Sequence, residues 1–184
     1  MNSKIQTFSG LWFDPRYAEP KDILIEDIAH SLSLLCRFMG HCRCFYSVAQ
    51  HSVIVSEILE AKGYSKEIIL GGLLHDAHEA YLSDMVSPVK KIFPEYQIIS
   101  ETIQNLIDNK FGHPLLTDED YKAIKEADMS CFNAEVRDLL LHQEGWQWLK
   151  EVSPYEKTII PLYPEKAEKK FLERFWRLYS ARFQ

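Results

Sequence analysis

The chain has 184 residues, 46% of them hydrophobic, which suits one compact domain with a core and is too short for two comfortable domains. Its 21 basic and 27 acidic residues give a net charge of −6, and no basic stripe is visible, so we expect no nucleic-acid partner. No apolar run approaches the roughly 20 residues that span a bilayer. We therefore expect a cytoplasmic protein with no membrane partner.

A short N-terminal arm and one helical domain account for the chain. Residues 1–22 contain Gly10, Pro15 and Pro20 among aromatic residues, which predicts an irregular arm packed on a domain formed by residues 23–184. Hydrophobic periodicity predicts helices at about 23–39, 46–62, 66–81, 94–110, 117–142 and from 165 onward. No long segment alternates with period two. The pattern predicts an all-α fold, a single compact helical bundle.

Start and stop residues support these helices. Ser65 suits the N-cap of the third helix, and Thr117 with Asp120 resembles a capping box. Gly112 and Pro114 interrupt the chain between the fourth and fifth helices.

Three of the four cysteines lie close together, and their role is not evident from the sequence. Cys36, Cys42 and Cys44 form no CxxC pair, and with His41 their spacing fits no ordinary zinc pattern. The chain is also longer and poorer in cysteine than a secreted disulfide scaffold.

Histidine and acidic residues stand on three of the predicted helices. His75 and Asp76 are adjacent, about 100° apart on a helix, so both can reach an ion at the helix edge. His51 lies upstream and Asp128 downstream. A histidine on a helix is more often a satisfied polar residue, but this order on successive helices favours a metal site. Two imidazoles and two carboxylates suit one divalent ion, Mn, Co, Fe, Zn or Mg.

These residues and their flanking segments resemble the HD-domain superfamily of metal-dependent phosphohydrolases. The resemblance is closest to its small nucleotide hydrolases, which include bacterial 5′-deoxynucleotidases and phage dATP triphosphohydrolases. It rests on residues 45–52, 74–80, 84–90, 126–128 and 133–135, with Arg37 and Phe38. Phe38 departs from the tryptophan of the nucleotidases, which affects the expected base preference.

The resemblance implies a role for each matching position in an HD-domain bundle. The metal ligands are His51, His75, Asp76 and Asp128. With Asp76, Glu79 belongs to the catalytic residues, orienting or deprotonating the attacking water. The substrate-binding residues are Arg37 and Lys90 for phosphate, Asp84 for the sugar 3′-hydroxyl and Phe38 for the base. Relatives of this kind form dimers or rings, so we expect a homo-oligomer.

Simpler roles stay open for several of these side chains. Arg37 and Lys90 could be solvated surface charges, and Phe38 could belong to the core. Glu79 follows His75 by four residues, which predicts the same helix face about 6 Å further along. A plain contact between Glu79 and Ser83 would also fit that spacing.

The sequence as a whole predicts a phosphohydrolase that acts on small-molecule (deoxy)nucleotides. It would remove a 5′-phosphate or a triphosphate by attack of a metal-activated water. One alternative is a cyclic-dinucleotide phosphodiesterase, although that branch usually has more ligands and a longer chain. Another is a catalytically inert nucleotide-binding module, which the presence of all four ligands and Glu79 disfavours.

Overall fold

Helices form most of the described chain, which comprises residues 4–111, 116–142, 144–146, 149 and 151–181 of this computed structural model. In chain order they are α1 (Ile25–Leu34), α2 (Val48–Ala61), α3 (Lys66–Leu74), α4 (Glu79–Leu82), α5 (Ser87–Lys90), α6 (Pro94–Phe111), α7 (Asp118–Leu139) and α8 (Pro164–Ser180). The predicted all-α bundle is confirmed. None of the helices in these residues is both long and apolar enough to cross a bilayer.

Helix α2 forms the centre of the bundle and contacts α1, α3, α7 and α8. It is buried on nearly all sides, with Val48, Val55 and Leu59 fully buried, as expected of a helix surrounded by others. Gly72 allows α3 to approach α2 closely, because a Cβ at that position would overlap the Leu59 side chain. The close approach brings the C-terminal end of α3 against the first turns of α2.

The N-terminal segment contains a short antiparallel hairpin of β1 (Ile5–Gln6) and β2 (Trp12–Phe13). Phe13 is fully buried and stacks on Tyr81 of α4, with ring centroids 4.2 Å apart. Ser9 donates hydrogen bonds from its backbone N (2.6 Å) and its Oγ (2.8 Å) to the Asp27 carboxylate in α1. Residues 4–22 therefore pack on α1 and α4, while the predicted boundary at residue 22 stays a prediction.

The predicted helix caps are present. Ser65 Oγ accepts a hydrogen bond from Ile68 N, and Thr117 forms a reciprocal capping box with Asp120. The predicted helix breakers Gly112 and Pro114 lie outside the described residues.

The first predicted helix is too long. It ends at Leu34 rather than Met39, because the chain turns to pair with the segment that precedes α2. Cys36 forms a β-bridge with Ser47, and Arg37 N donates to Tyr46 O at 2.9 Å. Residues 37–40 then form a tight turn, in which Phe38 has φ 58° and Met39 has φ 51°. This left-handed backbone costs roughly 1–2 kcal/mol per residue and requires the surrounding contacts.

The third predicted helix is interrupted where sequence reasoning expected it to continue. Helix α3 ends at Leu74, and residues 75–78 form tight turns before α4 begins at Glu79. Ala77 N donates to Leu74 O, and Glu79 N donates to Asp76 O. The prediction that His75 and Glu79 share one helix face is therefore wrong.

Candidate metal centre

The four side chains predicted as metal ligands converge. His51 Nε2 lies 3.4 Å from His75 Nε2 and 3.3 Å from Asp128 Oδ1. Asp76 Oδ2 lies 3.2 Å from His75 Nε2 and 3.7 Å from His51 Nε2, and His75 Nε2 lies 4.0 Å from Asp128 Oδ1. Ligand atoms about 2.1 Å from one ion are themselves about 3.0–4.2 Å apart in tetrahedral or octahedral geometry. His51, His75 and Asp128 could therefore hold a metal ion, and Asp76 Oδ2 lies within 3.7 Å of both imidazoles.

Three segments of the chain supply this cluster. His51 lies in the first turn of α2, Asp128 lies in the middle of α7, and His75 with Asp76 forms the turn after α3. The His51 side chain is fully buried, whereas those of His75, Asp76 and Asp128 are 14–20% exposed. The cluster is therefore closed on the α2 side and reachable from solvent on the other.

Hydrogen bonds at Nδ1 orient both imidazoles. His51 Nδ1 lies 2.7 Å from Glu135 Oε1, and His75 Nδ1 lies 2.9 Å from Gly72 O. Because both partners are acceptors, they favour a proton on Nδ1 and leave each Nε2 lone pair facing the cluster. A carboxylate or carbonyl behind each histidine is the usual arrangement of metal-binding imidazoles.

Glu135 links His51 to Arg37 in the interior. Its carboxylate is fully buried; its Oε2 accepts a hydrogen bond from Arg37 Nε at 3.1 Å and lies 3.1 Å from Arg37 Nη2 in an ion pair. Burial opposes ionisation of Glu135, but the Arg37 charge and the hydrogen-bonded His51 outweigh it and lower the pKa to about 2. The third nitrogen of Arg37, Nη1, lies 3.6 Å from Asp76 Oδ2. Arg37 is therefore a buried residue of the site rather than a solvated surface charge.

A second cluster formed by His51, Cys131 and Glu135 could also hold a metal ion. Two features favour the first cluster. Burial and then the Glu135 charge raise the pKa of Cys131 to about 12, which disfavours the thiolate that binds metals. Both oxygens of Glu135 already accept hydrogen bonds, from His51 and Arg37.

Glu79 lies beside the four-residue cluster despite the break in the helix. It is only 2% exposed, and its Oε1 accepts from Lys90 Nζ at 3.1 Å. Its Oε2 has no hydrogen-bond partner in the described part of the chain. Burial, together with the nearby Asp76 and Asp84 charges, raises the pKa of Glu79 well above its usual value. Ser83 N donates to the backbone carbonyl of Glu79 at 2.8 Å, and Ser83 O accepts from the Tyr96 hydroxyl.

Asp84 and Phe38 lie at the same site. Asp84 is partly buried; burial raises its pKa, while the Arg37 charge opposes the rise. Within the described residues its carboxylate has no hydrogen-bond partner. The Arg37 guanidinium carbon lies 5.7 Å from the centre of the Phe38 ring, which also packs on Phe132 at 5.6 Å. The structure thus brings the predicted substrate residues Arg37, Phe38, Asp84 and Lys90 into one neighbourhood, and their roles stay predictions.

Two residues that sequence reasoning left without a role support the site. Glu135 follows Asp128 by seven residues, so a second acid on the same face of α7 was the available signal. Gln104 of α6 holds the interrupted helix: its Nε2 donates to Leu74 O at 2.9 Å, and its Oε1 accepts from His78 N at 3.2 Å. No local pattern marks Gln104, because its partners lie about 30 residues away in sequence.

Comparison with known proteins places the chain beside two bacterial relatives. No protein-family model matches it. It is 37% identical over 137 residues to the uncharacterized protein RCAP_rcc00048 of Rhodobacter capsulatus, covering 71% of this chain and 70% of that protein. It is 39% identical over 175 residues to the uncharacterized protein YfdR of Escherichia coli K12, covering 94% of both chains. With this identity over nearly the full length of both proteins, the chain belongs to the family of YfdR.

Proposed function

We propose that this protein is an HD-domain metal-dependent phosphohydrolase that removes phosphate from deoxynucleotides. The observation that supports the proposal best is the convergence of His51, His75, Asp76 and Asp128 beside the buried carboxyl of Glu79. A purely structural zinc site would be closed and rich in thiolates. This cluster is partly exposed and combines imidazoles with carboxylates, as catalytic sites do.

The proposed cofactor is one divalent metal ion. Mixed nitrogen and oxygen ligands suit Mn, Co, Fe, Zn or Mg. When bound, such an ion supplies Lewis-acid chemistry that activates water and polarises a phosphoryl oxygen. Glu135 and the Gly72 carbonyl would hold the two imidazoles in the orientation that binding requires.

Glu79 is the proposed proton acceptor for the attacking water. Lys90 fixes one carboxylate oxygen of Glu79, and the other oxygen has no partner in the described chain. A carboxyl with a raised pKa exchanges protons closer to neutral pH than an ordinary one, which is the property that general acid–base catalysis uses.

The substrate residues suit a phosphate, a deoxyribose and a base. Arg37 Nη1 lies beside the Asp76 carboxylate, and Lys90 Nζ lies beside the Glu79 carboxylate. A phosphoryl group bound at the site could contact both cations. The Asp84 carboxylate is an acceptor for the sugar 3′-hydroxyl, and the Phe38 ring is an apolar surface for the base. A 5′-monophosphate and a triphosphate both remain candidates. Assembly as a homo-oligomer belongs to the same proposal.

Substrate profiling of the purified protein tests this function. A panel of deoxynucleoside and ribonucleoside mono- and triphosphates is incubated with and without Mn or Co, and chromatography separates phosphate from tripolyphosphate. We expect metal-dependent release, lost in His75→Ala and Asp128→Asn but retained in His142→Ala. His142 is the matched control because its side chain is 75% exposed. Release that survives in the first two variants would contradict the proposal.

The alternatives give different results in the same assay. A fully metal-loaded protein that binds nucleotides but turns over none would be an inert binding module. Cleavage of a cyclic dinucleotide alone would identify a phosphodiesterase.

A further inference from the structure

Two thiols meet at the base of the turn that holds Arg37 and Phe38. Cys36 Sγ and Cys42 Sγ lie 3.6 Å apart, one on each side of that turn. Cys36 is fixed by its β-bridge to Ser47, and the Cys42 thiol contacts the Arg37 carbonyl oxygen at 3.7 Å. Both cysteines are free and partly exposed. The pair therefore combines proximity with access for a small reagent.

We propose that Cys36 and Cys42 are a redox modification site, at which a reversible disulfide closes the turn of residues 37–41. The two sulfurs need to approach by roughly 1.5 Å, since a disulfide is about 2.05 Å long. The other cysteines are placed differently. Cys44 is exposed, and Cys131 is buried beside Glu135.

The oxidant belongs to the class of small disulfides, of which oxidised glutathione is the cytosolic example. The Cys36 thiolate attacks one sulfur of the oxidant, the S–S bond breaks, and one glutathione leaves as a thiolate. Cys42 then loses its proton and attacks Cys36 Sγ in the mixed disulfide, releasing the second glutathione. The protein loses two hydrogen atoms, and one oxidised glutathione becomes two reduced molecules. Burial, with the adjacent Cys36, raises the pKa of Cys42 to about 11, in agreement with Cys36 attacking first.

Formation of the Cys36–Cys42 disulfide would affect the candidate site through Arg37. Arg37 directly follows Cys36, and its guanidinium contacts both Glu135 and Asp76. The backbone at Phe38 and Met39 is already left-handed, so the turn has little freedom to absorb the sulfur movement elsewhere. This second step rests on the proposed function: the disulfide would lower phosphate binding by displacing Arg37.

A peptide map tests the disulfide without any assumption about activity. Trypsin cuts after Arg37, Arg43 and Lys62, so Cys36, Cys42 and Cys44 fall on three different peptides. The folded protein is treated with oxidised glutathione, blocked with N-ethylmaleimide and digested without reductant. We expect residues 22–37 linked to residues 38–43, a mass loss of about 2 Da, and reversal by dithiothreitol.

Variants and activity complete the test. The 2 Da loss should persist in Cys44→Ser and disappear in Cys36→Ser and Cys42→Ser. Peptides linked through Cys44, or glutathione adducts alone, would overturn the proposal in the wild-type protein, even if a variant failed to fold. If nucleotides are hydrolysed, oxidation should reduce turnover at least fivefold in wild type and Cys44→Ser but not in Cys42→Ser. A protein with no hydrolytic activity would refute the proposed function. The peptide map would still show whether Cys36 and Cys42 form the disulfide.

Discussion

The candidate metal centre and a groove elsewhere on the molecule are both rich in charge, but they differ in how far the charges are buried. The groove has a volume of about 1200 Å³ and lies between α2, α7, α8 and residues 151–157. Its charges are mostly exposed; Glu60, for example, is 43% exposed and pairs with both Arg174 and Arg177 at 3.0 Å. At the centre, by contrast, the charged and polar groups Arg37, Glu135 and His51 are all buried in contact with one another.

Helix α7 contributes to both regions, which makes the contrast direct. One face holds Asp128 and Glu135, and the adjoining face holds Lys122, Lys125 and Glu126 along the groove. None of the four candidate ligands lines the groove. In this protein the candidate site is therefore identified by buried polar groups that converge, and not by the volume of a cavity.

The largest expected effect is at Glu135. Glu135→Ala leaves the Arg37 charge buried without its main partner, so the free energy of unfolding should fall by about 3–5 kcal/mol. The exposed groove variant Arg177→Met should cost about 1 kcal/mol or less. Urea denaturation at pH 7 measures both. Because the pKa of Glu135 falls from 4.5 to about 2, its contribution should be complete above pH 4.5 and lost as the pH falls towards 2. Equal losses of unfolding free energy in Glu135→Ala and Arg177→Met would contradict the difference in burial between the two regions.

A smaller effect is expected at the hydrogen bonds that hold the turn of residues 75–78. Gln104→Leu leaves His78 N without its partner and Leu74 O with the Ala77 N hydrogen bond alone, and should cost about 1–3 kcal/mol. Because that turn presents His75 and Asp76, metal affinity measured by equilibrium dialysis should also fall about 10–100-fold. Gln97→Leu, on the exposed side of the same helix, is the control. Unchanged metal affinity in Gln104→Leu would show that the hydrogen bonds of Gln104 to the turn do not support metal binding.

Asp108 is a largely buried carboxyl that does not belong to the candidate metal centre, so it tests the effect of burial alone. Burial raises its pKa to about 6, partly offset by a hydrogen bond from Gln104. A raised carboxyl pKa means that the folded state holds its proton more tightly than the unfolded state, so stability falls as the pH rises from about 4 to 6. Asp108→Asn keeps an acceptor for Gln104 and should raise the free energy of unfolding at pH 7 by about 1–2 kcal/mol. The gain should vanish at pH 4; a gain of equal size there would contradict the assignment.

The smallest effect is expected where the groove meets the centre. Lys125 lines the groove, and its Nζ lies 2.7 Å from Asp128 Oδ2, the oxygen not facing His51. The lysine side chain is 69% exposed, so Lys125→Met should change stability by less than about 1 kcal/mol. Its influence on metal affinity should disappear in about 1 M salt, where exposed charges are screened. If Lys125→Met lowered metal affinity as much as Asp128→Asn does, the distinction between the groove and the candidate metal centre would be wrong.

Sequence reasoning performs best where the information is local. Periodicity predicts the all-α bundle, and the residues Ser65 and Thr117 predict helix starts that the fold uses. The order of His51, His75, Asp76 and Asp128 also predicts which four side chains the fold brings together.

The errors arise where distant groups determine the backbone. Helix α1 ends early because the chain after Leu34 pairs with the segment around Tyr46 and Ser47. Helix α3 ends at Leu74, where Gln104 takes over the backbone groups that a continued helix would have satisfied. Neither partner is visible in a window of neighbouring residues, which is all that periodicity examines.

The shared carboxylate of Glu135 constrains how this family can diversify. Arg37 is both the proposed phosphate-binding residue and the partner that neutralises the acid behind His51. A descendant that exchanges Arg37 to accept another substrate would leave that acid uncompensated in the interior. Substitutions at positions 37 and 135 should therefore occur together among relatives, whereas Asp84 remains free to change by itself.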